Sequence, residues 1–377
     1  LLVNAEALSR QEAQKLAHDF LTNKGVTISR NMEIAYQARF HKAPTADKAS
    51  YYIFNNGTGN GFVIVAGDDN VEPILGYSTT GSFDENNIPA NMKAWLETYE
   101  EQIALVAEGK VSNSQPLRSG VMREAIDPLV TATWGQGAPY NSQCPVLGSN
   151  TDPCVTGCVA TAMAQIMYYH KWPETTTKII PQYNIEYQDI GIQSFGPLDI
   201  TSFQWHDMQP DYNGSENDNQ KNAVAELMKY CGYSVEMSYG PGSSGAFSTN
   251  CVKAFKDYFG YDSHLHEITR NNVSASEWEN VIYNELSNGR PVYYSAVNAS
   301  GGGHAFVCDG YDGELFHINW GWNGMSDGYF RLQALNPNDQ GIGGSSSSSG
   351  YSRAQSAIIG IQKPVSHPEG TPSEKLQ

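Results

Sequence analysis

From Thr156 to Met167 the chain reads Thr-Gly-Cys-Val-Ala-Thr-Ala-Met-Ala-Gln-Ile-Met, without one charged side chain. Small and apolar residues cover most sides of this stretch rather than a single stripe, so as a helix it must lie inside the protein. The pattern predicts one helix from Thr156 to Lys171, stopped by Pro173. A buried helix needs layers of structure around it. Asn222–Tyr230 and Ser248–Phe259 read as further helices. Pro291–Ala296, His304–Asp309, Leu315–Asn319 and Tyr329–Leu332 read as strands, with a last one at Ile358–Ile361. Strands that follow helices favour an α+β class over a doubly wound sheet.

With 377 residues the chain is long enough for two domains, each with its own core. Ser9 and Glu12, followed by Ala13, Leu16, Ala17, Phe20 and Leu21, read as a capped amphipathic helix. Tyr51–Phe54 and Gly61–Ala66 read as strands joined by a turn at Asn55-Asn56-Gly57. Asn91–Val106 has helical spacing at Met92, Trp95, Leu96, Tyr99, Ile103 and Leu105. These elements make a first α+β unit, residues 1–118. Its end, from Ala107 to Arg118, is polar and aperiodic, an exposed linker of the kind that is nicked. A second unit, 119–363, is richer in Gly, Tyr and Trp. Gly341–Gly350 reads as a flexible loop within it, and 364–377 as a disordered tail or linker.

The net charge is −17, and Lys and Arg are nowhere clustered, which argues against nucleic acid as a partner. No apolar run approaches the ~20 residues of a membrane span. The chain begins Leu1-Leu2-Val3-Asn4, with neither Met nor a basic leader, as expected where a signal peptide has been removed from an exported protein. Six cysteines in this length do not make a disulfide scaffold. Cys154 and Cys158 have a zinc-compatible spacing but no matching second pair, so no metal is expected. Pairing of Cys144 with Cys154, or of Cys231 with Cys251, stays open.

Three pieces carry chemistry. Cys158 stands near the start of the buried helix, where the helix dipole favours thiolate, the reactive form. Taken alone it reads more readily as a buried core cysteine. His304 follows Gly301-Gly302-Gly303 and opens an apolar strand; alone it reads equally as an accessible general base and as a residue capping a strand end in solvent. Asn319-Trp320-Gly321-Trp322 ends another strand. If that strand pairs with the one of His304, Asn319 can hold the imidazole, with the tryptophans shielding the bond. His170 lies some three turns along the helix from Cys158, too far to be its base.

Cysteine, then a distant histidine, then an asparagine is the order of papain-like enzymes. The segments Thr156–Ala162, Tyr239–Gly245, Gly302–Val307 and Asn319–Trp322 resemble the streptopain/interpain family of secreted bacterial cysteine peptidases. Gly61–Asp69 and Pro73–Ser78 resemble the family's inhibitory propeptide, so the likeness runs nearly to Ile361. It implies a papain-like cysteine peptidase fold behind an N-terminal α+β propeptide domain, in zymogen form. It implies Cys158 as nucleophile and His304 as base, with Gln136 as an oxyanion donor. It puts Asn319 and Trp320 beside the histidine, without deciding which orients the ring. A hydrophobic side chain two residues before the cut would lie near Ser243, Ser244 and Gly245, with Gly303 also lining the cleft. The implied partners are protein or peptide substrates and the chain's own propeptide, and the reaction calls for no cofactor. Cys154 is the rival nucleophile, but the Thr156–Ala162 match fixes the register on Cys158. The rival functions are a Cys-His-Asn acyltransferase and a binding module that has lost catalysis.

Overall fold

The structure, a computed structural model, describes residues 7–30, 32–39, 49–107, 123–270, 273–297, 303–334 and 355–366. The linker beyond Ala107, the 341–350 loop and the tail from residue 367 lie outside the described residues.

Ser9 opens helix Arg10–Asn23 (α1) by the anticipated reciprocal cap, its own N–H donating to the Glu12 carboxylate at 2.8 Å. Strands Met32–Arg39 (β1), Ala49–Asn56 (β2), Phe62–Ala66 (β3) and Ile74–Ser78 (β4) follow, then helix Ala90–Ala107 (α2). β2 and β3 form the predicted hairpin, and Gly57 takes the positive φ of its turn. The sequence reading contained neither β1 nor β4. The second stretch begins with helix Cys158–His170 (α3) and a hairpin of Tyr183–Tyr187 (β5) and Gly191–Phe195 (β6). Helices Asp218–Ser234 (α4) and Thr249–Asp257 (α5), strand His266–Thr269 (β7) and helix Ala275–Ser287 (α6) come next. Strands Val292–Val297 (β8), Gly303–Tyr311 (β9), Phe316–Asn319 (β10), Gly328–Phe330 (β11) and Ser356–Ile359 (β12) complete the described fold.

α4 starts four residues before the predicted helix because Asn217 and Gln220 form a capping box. The same device at Ser274 and Glu277 opens α6, which the sequence reading lacked.

Ten strands make one antiparallel sheet in the order β1-β2-β3-β4-β11-β10-β9-β8-β12-β7. Four come from the first unit and six from the second. They meet where Tyr77 and Gly76 of β4 pair with Tyr329 and Phe330 of β11. A Cβ on Gly76 would stand 2.6 Å from the Phe330 ring, so glycine lets that ring lie across the junction. Around it, Lys24 and the Tyr77 hydroxyl both donate to Asp312 at 2.8 Å, and Ser78 Oγ donates to the Asp327 carbonyl at 2.7 Å.

The separate cores expected for the two units are approached on one sheet face only, where Leu315 and Tyr329 of the second unit still join the first unit's cluster. There α1 closes a cluster with Tyr52, Phe54, Val63, Val65 and Tyr77, while α3 and its companion helices cover the second unit's strands. On the opposite face α2 packs into a cluster that both units build. The ring of Trp95 lies 5.6 Å from Phe306, 5.9 Å from Tyr294 and 6.4 Å from Trp320. Helical periodicity marks the buried face of α2 but not what it packs against.

A β-branched side chain at the junction tests the shared sheet. Gly76→Val is expected to lower the stability of the intact chain by about 1–3 kcal/mol through overpacking. Urea titration reads this, and an unchanged midpoint would refute the tight junction.

Candidate active site

Helix α3 begins on Cys158 itself, two residues after the predicted start. Gly157 caps it with φ 84°, and a Cβ there would meet the Ser244 carbonyl at 2.8 Å and the Met237 sulfur at 3.0 Å. The Thr156 hydroxyl sits 2.8 Å from that of Thr161, which donates to the Gly157 carbonyl at 3.0 Å. Thr156 N–H donates to the Gln136 carbonyl at 3.0 Å, so the Gln136 segment runs beside the loop that leads into Cys158. These bonds hold the start of α3 in place.

Cys158 is half-buried. Burial pushes its thiol up, against the pull of the backbone N–H groups of Ala305, Val159 and Cys158. The sequence predicts the reverse, since a helix start favours thiolate. In the closed chain desolvation outweighs the dipole, with no cation among the described residues countering it. Cys154 is 1% exposed, against partial exposure of Cys158, which disfavours it as the reacting thiol. All six cysteines are free thiols, so neither considered disulfide is formed. Among the described residues no group of His, Cys, Asp and Glu is arranged to hold a metal.

His304 is the second residue of β9 and pairs with Ala296. Alternation puts it with Phe306, towards the side that α2 covers, while Ala305 faces Cys158. Among the described residues its ring has no hydrogen-bond partner, and burial lowers its pKa. Among the described residues no hydrogen bond joins Cys158 to His304.

The placement expected of Asn319 is not found. β10 does pair with β9, but the register sets Asn319 opposite Val307, not His304. Its amide donates to the Ala132 carbonyl at 2.7 Å, and its oxygen accepts from Gln165 at 3.1 Å and Gly321 N–H at 3.0 Å. Asn319 therefore ties β10 to α3. Trp320 does not shield an Asn319–imidazole bond either. Its ring lies 4.9 Å from Phe306 and 5.1 Å from Phe330 in the shared aromatic cluster. Its N–H donates to Asp327, whose carboxyl burial lifts to about 7.

Ser243 and Gly245 are exposed, as is Gly303. Ser244 is buried, and its hydroxyl donates to the Val155 carbonyl at 2.7 Å and accepts from Gly240 N–H at 3.0 Å. The side chain of Ser244 thus braces the loop before Cys158 and is not free to meet a substrate. His170 is half-buried beside the rings of Tyr169 and Tyr261, and burial lowers its pKa to about 4, in keeping with a structural role.

Two residues had no role in the sequence reading. Asn91 of α2 donates to the Ala305 carbonyl at 3.2 Å and the Trp320 carbonyl at 2.7 Å. Gln165 joins Asn319 to Trp134 N–H. Each is a polar side chain within an otherwise apolar helical face, the pattern of a buried hydrogen-bond demand.

Residues 134–330 match the profile described as Peptidase C10 family, and residues 5–103 the one described as Spi protease inhibitor. Streptopain of Streptococcus pyogenes is 38% identical over 374 residues, 94% of this chain and 92% of its own length. The thiol protease/hemagglutinin PrtT of Porphyromonas gingivalis is 33% identical across 96% of this chain but 42% of its own length. Among solved structures, a mutant prointerpain A fragment of Prevotella intermedia superposes with TM-score 0.69 at 30% identity, covering 88% of this chain and 99% of the fragment. Active interpain A of the same organism gives TM-score 0.52 at 32% identity, covering 67% of this chain and 100% of its own.

Asn319→Ala is expected to destabilise the chain by about 2–4 kcal/mol, because it strands buried partners at Ala132, Gln165 and Gly321. Chemical denaturation measures this. A variant as stable as the parent would contradict the bracing role.

Proposed function

The chain belongs to the peptidase C10 family and is a cysteine protease zymogen with its inhibitor domain in front, and on that premise we propose how it is silenced and how it cuts. Cys158 is the nucleophile and His304 its base. In the active form His304 takes the Cys158 proton, and the thiolate attacks a peptide carbonyl. The Cys158 N–H and Gln136 stabilise the oxyanion, the imidazolium protonates the leaving amine, and water then releases the acyl group. A hydrophobic side chain two residues before the cut lies near the Ser243–Gly245 turn, by family resemblance. No helix among the described residues is long and apolar enough to cross a membrane, and we place the enzyme outside the cell, on protein or peptide substrates.

Asn91 carries the reading of latency. Its amide occupies two carbonyls at once, that of Ala305, the residue after the proposed base, and that of Trp320. With α2 gone, the Trp320 carbonyl is free to orient the His304 imidazole, the role Asn319 does not fill. Residues 1–118 are then the propeptide, 119–363 the peptidase and 364–377 a tail. The enzyme itself cuts between Ala107 and Arg118.

Three measurements test this. Wild-type chain on incubation is expected to release a fragment with a new N-terminus in that interval, while Cys158→Ala stays whole. Identical processing of both would sink self-cleavage through Cys158. Asn91→Ala removes two hydrogen bonds worth about 1 kcal/mol each and is expected to speed processing roughly tenfold or more. An unchanged rate would remove Asn91 from the account. Because burial raises the thiol pKa, Cys158 in an uncut His304→Ala chain is neutral at pH 7. Its alkylation by iodoacetamide is expected to keep climbing with pH above 9. A plateau near neutral pH would contradict the desolvated thiol.

A further inference from the structure

A row of polar side chains crosses the sheet face on which Cys158 rests. Tyr293, Ala305, Val307 and Ile358 lie on the α3 face. Ser295 stands two residues after Tyr293 and pairs with Ala305, so it shares that face. Ser356 stands two before Ile358 and pairs with Ser295. Glu267 pairs with Ile358. From Ala305, whose N–H borders the Cys158 thiol, the row runs through Ser295 and Ser356 to Glu267.

The members are bonded to one another. The hydroxyls of Ser295 and Ser356 are 2.7 Å apart, and Ser356 donates to Glu267 Oε1 at 2.7 Å. Glu267 leans across one strand to reach Ser356, so its carboxylate lies about two strand spacings, ~10 Å, from β9. Its second oxygen has no hydrogen-bond partner among the described residues. Glu267 is partly exposed, whereas Ser295 and Ser356, at 8% and 9%, lie just beneath the surface. The hydroxyl of Tyr293, 2.9 Å from that of Ser248, closes the row on its inner side. A carboxylate at the end of a polar track suits a long cationic side chain. A Lys or Arg side chain reaches roughly 6–7 Å from its Cα and a hydrogen bond adds about 3 Å, enough to close most of that distance, whereas a Val or Leu side chain stops well short of it.

We propose that Ser295, Ser356 and Glu267 floor a substrate subsite beside Cys158, and that Glu267 admits Lys or Arg there in addition to apolar residues. The inference rests on the peptidase reading and deepens it. The same subsite holds an apolar side chain along Ala305 and extends to a basic one at Glu267. The processed enzyme is assayed on fluorogenic peptides carrying Ile, Lys, Arg or Glu at each of the three positions before the cut. Lys and Arg are expected to be accepted at one position. Glu267→Gln is expected to lower kcat/KM for those peptides about tenfold or more and to leave the Ile peptide within about twofold. Glu267→Lys is expected to reverse the order and favour Glu. Retained turnover of the Ile peptide shows that each variant is folded. Rejection of basic residues at every position, or an equal fall for all peptides in Glu267→Gln, overturns the subsite. Failure of the processed wild-type protein to cut any peptide overturns the peptidase reading, and the subsite with it.

Discussion

The pairing of β4 with β11 makes one sheet of two stretches of chain that are far apart in sequence. α2 can reach the catalytic strands because that sheet is continuous. Once β4 is fixed against β11, α2 lies over β9, and Trp95 enters the cluster of Tyr294, Phe306 and Trp320. The register then carries Asn91 to the carbonyls of Ala305 and Trp320. Inhibition follows from the fold of the joined chain rather than from a loop laid over a finished enzyme.

Cys158 and His304, the proposed reacting groups, bear the mark of that enclosure. A helix N-terminus offers Cys158 a modest preference for negative charge, and burial outweighs it. His304 is likewise pushed toward neutrality by burial. A thiolate and an imidazolium stabilise each other once brought together, but each alone is penalised in a dry site. On the proposed mechanism, denying the two a shared hydrogen bond silences both, without damage to the scaffold that Gln165, Asn319 and Thr161 maintain around α3.

Much of this was legible in the sequence. The uncharged helix beginning at Cys158, the strand of His304 and the capped α1 each carry a local signature. So does the order of motifs that marks the family. Asn319 was misread because strand register is not written in the strand's own residues. One step in pairing moves a side chain to a different partner, and here it meets Ala132 and Gln165. Ser244 looked like a cleft residue by its motif, yet its hydroxyl is spent on Val155 and Gly240. Asn91 had no legible role because its partners lie on strands of the other unit. The joint sheet escaped notice for the same reason, since periodicity shows that β3 is buried but not which strands continue the sheet beyond it.

β11 is three residues long, Gly328–Phe330. On the proposed removal of the propeptide, this strand becomes the new margin of the sheet. A long, flat margin of unpaired N–H and C=O groups would recruit strands from other molecules and seed aggregation. Three residues, the first of them a glycine, offer little template for such growth. The brevity of β11 thus suits it to be uncovered: the joint that holds the propeptide is wide enough to dock a sheet and too short to leave the released enzyme sticky.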